Sequence, residues 1–212
     1  SQGGGLIGAT DYATVVSSYF GGSVNDNSGG SSYLGGLIGM VSNSNVEESY
    51  ATGTVNAVGG EHVGGFLGYL LPNSTIKNCY STGDVTGTAT RVGGFVGMNN
   101  YGTIENCYST GNATGSGDVG GFSGSNSGDI TNCFWDYQTS GLETTGGNAA
   151  SKTTAEMKIL SSFGWSTDIW ATTTDTGHIS YPYLKNNPQT PAPGYAEIEF
   201  AGGDGSVGNP YE

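Results

Sequence analysis

The apolar positions of this chain fall into short clusters that recur at a nearly fixed interval. Gly-Gly-apolar-apolar-Gly occurs at residues 4–8, 35–39, 64–68 and 93–97, and in the weaker form GGFSG at 120–124, with spacings of 31, 29, 29 and 27 residues. A second element follows each copy: VVSSYFGGSV from Val15, VEESYATGTV from Val46, IKNCYSTGDV from Ile76, IENCYSTGNA from Ile104 and ITNCFWD from Ile130. Two linked motifs repeating five times in register mark an architecture in which each unit buries its apolar face only against its neighbours. The clusters are short and β-branched or aromatic, with glycine between them, so strands and turns are predicted rather than helices. A propeller blade needs about 40 residues and four strands, whereas 27 to 31 residues suit one coil with two or three strands. The predicted fold is all-β, a β-solenoid (β-helix) of about five coils.

Stacking coils at about 4.8 Å turns each aligned position into a file. Val15, Val46, Ile76, Ile104 and Ile130 form an apolar file that points inward, and Val16, Glu47, Lys77, Glu105 and Thr131 form its outward neighbour. The alternating signs of Glu47, Lys77 and Glu105 favour cross-strand pairing and help set register. Asn78, Asn106 and Asn132 are placed to chain their amides along the axis. Cys79, Cys107 and Cys133 share a file with Ser18 and Ser49. Strict alternation puts the cysteines outside and Tyr80 inside; a bend at Asn78 reverses both. Parallel Cβ vectors suit a disulfide torsion poorly, which favours buried thiols standing in for serine.

Composition changes the picture by narrowing the partners. Of 212 residues 40 are Gly, and with 24 Ser, 24 Thr and 17 Asn they make up about half the chain. Eighteen Asp and Glu face five Lys and Arg, for a net charge of −13. Such a surface repels the backbone of nucleic acid and anionic lipid headgroups alike. No apolar run approaches the roughly 20 residues that a bilayer requires, and residues 1–10 lack the basic start of a signal peptide. The chain therefore reads as a processed product or a slice of a longer polymer.

After the repeats, assigned to residues 1–148, the pattern shifts. Thr153 and Glu156 form a capping box that opens a short helix over AEMKIL. A helix of two turns does not persist alone, so Met157, Leu160, Phe163, Trp165 and Trp170 are expected to fold over the last coil, making residues 149–185 a C-terminal cap. Residues 186–195, NNPQTPAPGY, read as a Pro-rich linker, and 196–212 as an extended tail or the start of a next module.

GGLIG, GGFLG and GGFVG followed by IxNCYSTG resemble the GLUG motif, a repeat of large bacterial and archaeal surface proteins, adhesin-like polypeptides and the non-catalytic parts of IgA-specific metallopeptidases. The resemblance covers about residues 3–137, and CFWDYQTSG, KTTAEMK and SYPYL are similar to the element that often closes such arrays. It implies a β-helical stalk without catalytic residues. In peptidases that carry the repeat, an HExxH zinc motif lies elsewhere; here Glu61-His62-Val63-Gly64 has no second histidine.

No catalytic constellation emerges: GxSxG and P-loop patterns are missing, and His62 and His178 are isolated. The reading is a non-catalytic structural module of an extracellular, cell-surface fibrous or adhesin-like protein, with head-to-tail filament assembly as one form. The alternative is a carbohydrate-binding module or a polysaccharide-acting β-helix. Trp165, Trp170, Tyr80 and Tyr108 are the candidate sugar-stacking residues. Leu6, Ile7, Ile198 and Phe200 are the candidate assembly residues, the last two as a strand adding to a neighbour's sheet edge. Asn73 and Asn112 begin glycosylation sequons. No cofactor is expected; Ca²⁺ between coils is weighed at Asp26, Asp84, Asp118 and Asp129, although the calcium β-roll repeat is missing. Thr52, Thr82 and Thr110 form a threonine file too short to argue for ice binding. Expected partners are the chain itself or neighbouring modules of the same polymer, surface glycans, or host and cell-surface proteins. Nucleic acid and direct membrane insertion are excluded.

Overall fold

A computed structural model describes residues 1–27, 30, 32–175 and 178–194. Five coils stack in parallel, and each of the first four faces takes one strand from each coil in sequence order. The first face holds Gln2–Gly4, Tyr33–Gly35, His62–Gly64, Arg91–Gly93 and Asp118–Gly120. Its register pairs Gln2 with Tyr33, Tyr33 with His62, His62 with Arg91 and Arg91 with Asp118, reproducing the 31, 29, 29 and 27 residue spacings of the motif. The second and third faces follow the same order, the fourth carries Tyr50–Ala51 and its equivalents, and the fifth is shorter, with Val24–Asp26, Val55–Ala57 and Val85–Gly87.

The glycines of the motif let the first two faces meet backbone to backbone. A Cβ on Gly64 would run into the Leu67 carbonyl of its own coil and lie 2.7 Å from the Phe95 carbonyl of the next; one on Gly68 would lie 2.6 Å from the Leu34 nitrogen. Between them the apolar pair of the motif turns inward. Leu37, Phe66, Phe95 and Phe122 form a fully buried file whose rings stack at 4.8 Å. Val15, Val46, Ile76, Ile104 and Ile130 line the same core. On the outward file Lys77 Nζ sits 3.0 Å from Glu105 Oε2, an exposed pair that adds a few tenths of a kcal/mol at most.

Corners require the left-handed conformation. Ser17, Glu48, Asn78, Asn106 and Asn132 occupy one such corner with φ between 46° and 52°, and Tyr12, Asn43, Asn73 and Tyr101 occupy another. Asparagine tolerates this region because its short polar side chain bonds locally. Asn106 Nδ2 also donates to Asn78 Oδ1 at 3.3 Å, so the expected amide chain is present across that step.

The corner at Asn78 decides which way the next residues point. Cys79, Cys107 and Cys133 turn into the core, free and buried, and the residues that follow them, Tyr80, Tyr108 and Phe134, turn out into a separate aromatic cluster. Each sulfur donates to the carbonyl two residues back, at 3.2 Å to Lys77, 3.1 Å to Glu105 and 3.3 Å to Thr131. Ser49 Oγ does the same to Glu47 at 2.8 Å and accepts the Ser18 N–H at 3.1 Å, as Cys107 Sγ accepts that of Cys79 at 3.4 Å. The thiols thus take over the serine's place in the corner.

The end of the last coil is closed by residues 137–152, which differs from the expected cap. Asp136 caps the one-turn helix Tyr137–Ser140 by accepting from the Gln138 and Thr139 N–H groups. Thr144 O accepts from Gly121 N, Thr145 Oγ1 from Ser123 N, and Ala150–Lys152 adds a sixth rung to the fourth face beside Phe134–Asp136. The outer edge of the first coil pairs on one side only among the described residues.

The corner geometry makes a stability prediction. In chemical denaturation, Asn106→Gly should cost about 0.5–1.5 kcal/mol, the net worth of the lost amide bond. Asn106→Val should cost about 1–2 kcal/mol more, because a β-branched residue resists positive φ. Equal costs for the two variants would contradict a left-handed corner here.

Candidate functional site

The outward turn of the tyrosines builds the most distinctive surface of the molecule. Tyr19, Tyr50, Tyr80 and Tyr108 stack face to face with centroid distances of 5.0, 4.9 and 5.1 Å and interplanar angles of 4° to 11°. Offset aromatic pairs contribute about 0.5–1.5 kcal/mol each beyond area burial. A hydroxyl-edged column of this kind on a solvent face needs a cover, and residues 153–194 supply it. They run back from the last coil along the flank as a strap, in place of the expected fold over the end.

The predicted capping box is present: Glu156 N donates to Thr153 Oγ1 at 3.2 Å and Thr153 N to Glu156 Oε2 at 2.8 Å. The helix it opens, Thr154–Met157, lasts one turn rather than running through AEMKIL. Met157, Phe163, Trp165, Trp170, Tyr181 and Leu184 then pack on Tyr50, Tyr80 and Tyr108. Trp165 Nε1 donates to Asn132 O at 3.0 Å, Tyr108 Oη to Pro182 O at 2.7 Å, and Tyr181 Oη to buried Asp136 Oδ2 at 2.6 Å. Asp136 therefore ties the end closure to the strap.

Residues 186–194 fold back over the ladder. Asn187 Nδ2 reaches the Glu48 and Ser18 carbonyls at 3.2 and 3.4 Å, and Tyr80 Oη donates to Gln189 Oε1 at 3.2 Å. Tyr181 N donates to Pro193 O at 2.9 Å, closing the strap into a loop. The segment read as an extended linker is thus docked up to Gly194.

This cover corrects the sugar-stacking assignment. Tyr80 and Tyr108 are 0% exposed, Trp170 is 1% exposed and Trp165 is buried, so none offers a ring face to a ligand. The signal misread was the tryptophans' chemistry, which serves packing against the tyrosine column. What remains open is the first-coil end, where Tyr19 is 59% exposed. There a cleft of about 350 Å³ lies between Tyr19, Gly21, Tyr50 and Thr52 on the coils and residues 188–190 on the strap. No pattern singled it out, because it forms between segments about 140 to 170 residues apart.

The other candidates are dispersed. Leu6 is exposed and Ile7 half-buried at the first coil, while Ile198 and Phe200 lie outside the described residues. Asn73 and Asn112 are both exposed. Asp26 Oδ2 accepts from Ser32 Oγ at 2.8 Å, Asp84 Oδ1 from Asn112 N at 2.8 Å, and Asp118 faces Arg91 at 4.0 Å. Among the described residues no three His, Cys, Asp or Glu side chains come together as metal ligands. Thr110 is buried and Thr52 and Thr82 half-buried, so the threonine file is not an open face.

His62 lies buried against Tyr33 at 5.1 Å and Tyr69 at 4.8 Å, and its Nδ1 has no partner among the described residues. Burial pulls its imidazole below the ordinary value, which the backbone and carboxylate of Glu61 oppose and Arg91 reinforces.

Together these features define a parallel β-solenoid repeat module with a flank-bound strap. Residues 30–56, 59–86 and 88–114 match the GLUG motif, one match for each of the three central coils. Those coils are GLUG repeats, as the residue pattern implied. Among solved structures, the chain is similar to a candidate immunoglobulin A1 protease from Bacteroides ovatus, with a TM-score of 0.63 at 23% identity. The likeness covers 82% of this chain and 57% of that one, so this chain spans little more than half of its neighbour, and it shows the fold alone. A search of curated proteins found no match. No helix among the described residues is long and apolar enough to cross a membrane.

Two predictions follow from the buried groups. A thiol-reactive dye should label Cys79, Cys107 and Cys133 only after denaturation; prompt labelling of the native chain would contradict the inward file. Burial, with neighbouring phenols adding to it, raises Tyr50, Tyr80 and Tyr108 above 10.0, and burial followed by Asp136 raises Tyr181. Unfolded phenols release protons above about pH 10 that the folded ones keep, so stability should fall as pH rises past that value. For His62 the sign reverses: the unfolded imidazole takes a proton below 6.5 that the buried one resists, so stability should also fall as pH drops below 6.5. Urea midpoints from pH 5 to 11 should show both declines, and His62→Phe should flatten the acidic one.

Proposed function

We propose that this chain is a non-catalytic structural module of an extracellular surface protein, acting as a rigid spacer of the adhesin-like type. The observation that carries the reading is the uninterrupted in-register stack of five coils, sealed at the last coil and along one flank by the chain's own C-terminal segment. A stack of this kind holds its length because every coil is hydrogen-bonded to the next. The acidic surface, rich in Ser, Thr and Asn, keeps such arrays soluble and discourages lateral sticking. The presence of GLUG repeats supports the same class.

A spacer is favoured over a head-to-tail filament subunit. Residues 137–152 already occupy much of the strand edge of the last coil, leaving a second copy little to pair with there. The partners in this reading are neighbouring modules of the same polymer, with surface glycans or cell-surface proteins at the tip of the assembly. The three thiols and His62 are buried.

Immunogold labelling of intact cells that produce the parent protein should place this module outside the cell envelope. Sedimentation of the purified chain should give discrete particles, and immunoglobulin A1 and a broad glycan panel should remain uncleaved. Label confined to the cytosol, or turnover of either substrate, would overturn the reading; regular fibres would restore the filament form.

A further inference from the structure

The first-coil end of the tyrosine ladder departs from the repeat. On the fourth face the position after the stacked pair is Thr52, Thr82 and Thr110 in successive coils, and Gly21 in the first. A Cβ at Gly21 would stand 3.2 Å from Thr52 Oγ1, so the missing side chain opens room beside that hydroxyl. Gly21 does not adopt positive φ, and its backbone conformation therefore does not demand glycine. Departures from a local pattern mark functional or strained sites.

The room so made is the cleft of about 350 Å³ between the ladder and the strap. Its volume falls within the range of small-ligand sites. Among the described residues its lining carries no Asp, Glu, Lys, Arg or His, although the chain as a whole is strongly acidic. It carries hydroxyls from Tyr19, Tyr50, Thr52 and Thr190, and the Gln189 amide. Tyr80 Oη holds Gln189 by donating to Oε1 at 3.2 Å, which leaves the two Nε2 hydrogens for another acceptor. Tyr19 contributes an exposed ring, braced from behind by Tyr50 at 5.0 Å. Hydroxyl and amide groups beside an exposed aromatic ring, without charge, match a ligand with many hydroxyls and an apolar C–H face.

We infer that the cleft between Tyr19, Tyr50, Thr52 and Gln189 is a binding site for a neutral saccharide. Gly21 provides the space, Tyr19 packs against the sugar's C–H face, and Thr52, Gln189 and Thr190 meet its hydroxyls. The strap then has a second role: it supplies one wall of the site, held in place by Asn187 and Tyr80. This goes beyond the spacer role, which would stand unchanged for a module that binds no sugar.

The test is titration calorimetry of the full chain with neutral oligomers of glucose, mannose, galactose and N-acetylglucosamine, and with oligogalacturonate and sialyllactose as acidic counterparts. At least one neutral oligomer should bind with millimolar or better affinity, and the acidic ones more weakly. Tyr19→Ala and Gln189→Ala should each weaken binding by about tenfold or more, and Gly21→Val should abolish it, with the circular dichroism of the folded chain unchanged. Should Gly21→Val fail to fold, Tyr19→Ala and Gln189→Ala carry the test, each read on chain whose circular dichroism is that of the folded parent. No binding by any neutral oligomer, preference for the acidic ones, or binding that folded variants leave intact would overturn the assignment.

Discussion

Everything in this molecule depends on identical positions of successive coils lying one strand spacing apart. At about 4.8 Å, a residue type suited to one coil meets its own kind in the next, and the file is stable only if like can pack on like. Phenylalanine and tyrosine satisfy that by stacking, as in the Phe66, Phe95, Phe122 and Tyr50, Tyr80, Tyr108 columns. Asparagine does so through its amide, and serine or cysteine through a donor to its own corner and an acceptor to the neighbouring coil. Leu, Ile, Val and Phe amount to only 38 of 212 residues, and stacking concentrates them into continuous buried columns. That is how a chain with the composition of a disordered segment forms a core.

The same rule explains why the C-terminal segment runs along the flank. The corner at Asn78 and its equivalents forces the tyrosines outward, and a column of stacked rings exposed to water is a large apolar surface. Trp165, Trp170 and Tyr181 cover it where the strap passes, and the cover thins toward the first coil. The cleft at Tyr19 is the place where ladder and strap remain apart. Structure and any recognition role are thereby joined in one element: the segment that seals the column also walls the site.

Much of the architecture was legible in the residues. The spacings of the Gly-Gly pattern equal the strand register, and the inward assignment of Val15, Val46, Ile76, Ile104 and Ile130 holds. A period carries this information because in a solenoid sequence distance and spatial neighbour are the same thing. The orientation of Cys79 and Tyr80 was open, because it turns on one backbone dihedral at Asn78, which residue type permits without demanding. The destination of Trp165 and Trp170 was not legible at all. Aromatic residues after a repeat array signal that something is covered, and only the folded coil shows whether its end or its flank is bare. The cleft escaped for the same reason, since it joins residues near 20 and 50 to residues near 189.

Hydrogen exchange followed by mass spectrometry on the full chain tests the stacked-coil account most directly. The amides of Leu37, Phe66 and Phe95 each donate to the carbonyl of the equivalent residue in the next coil, so peptides spanning the second to fourth coils should be protected together and to a similar degree. The strap over the tyrosine column should open at lower free energy, ahead of the coils. Uniformly rapid exchange through the Gly-Gly elements, or protection confined to the strap, would contradict the account.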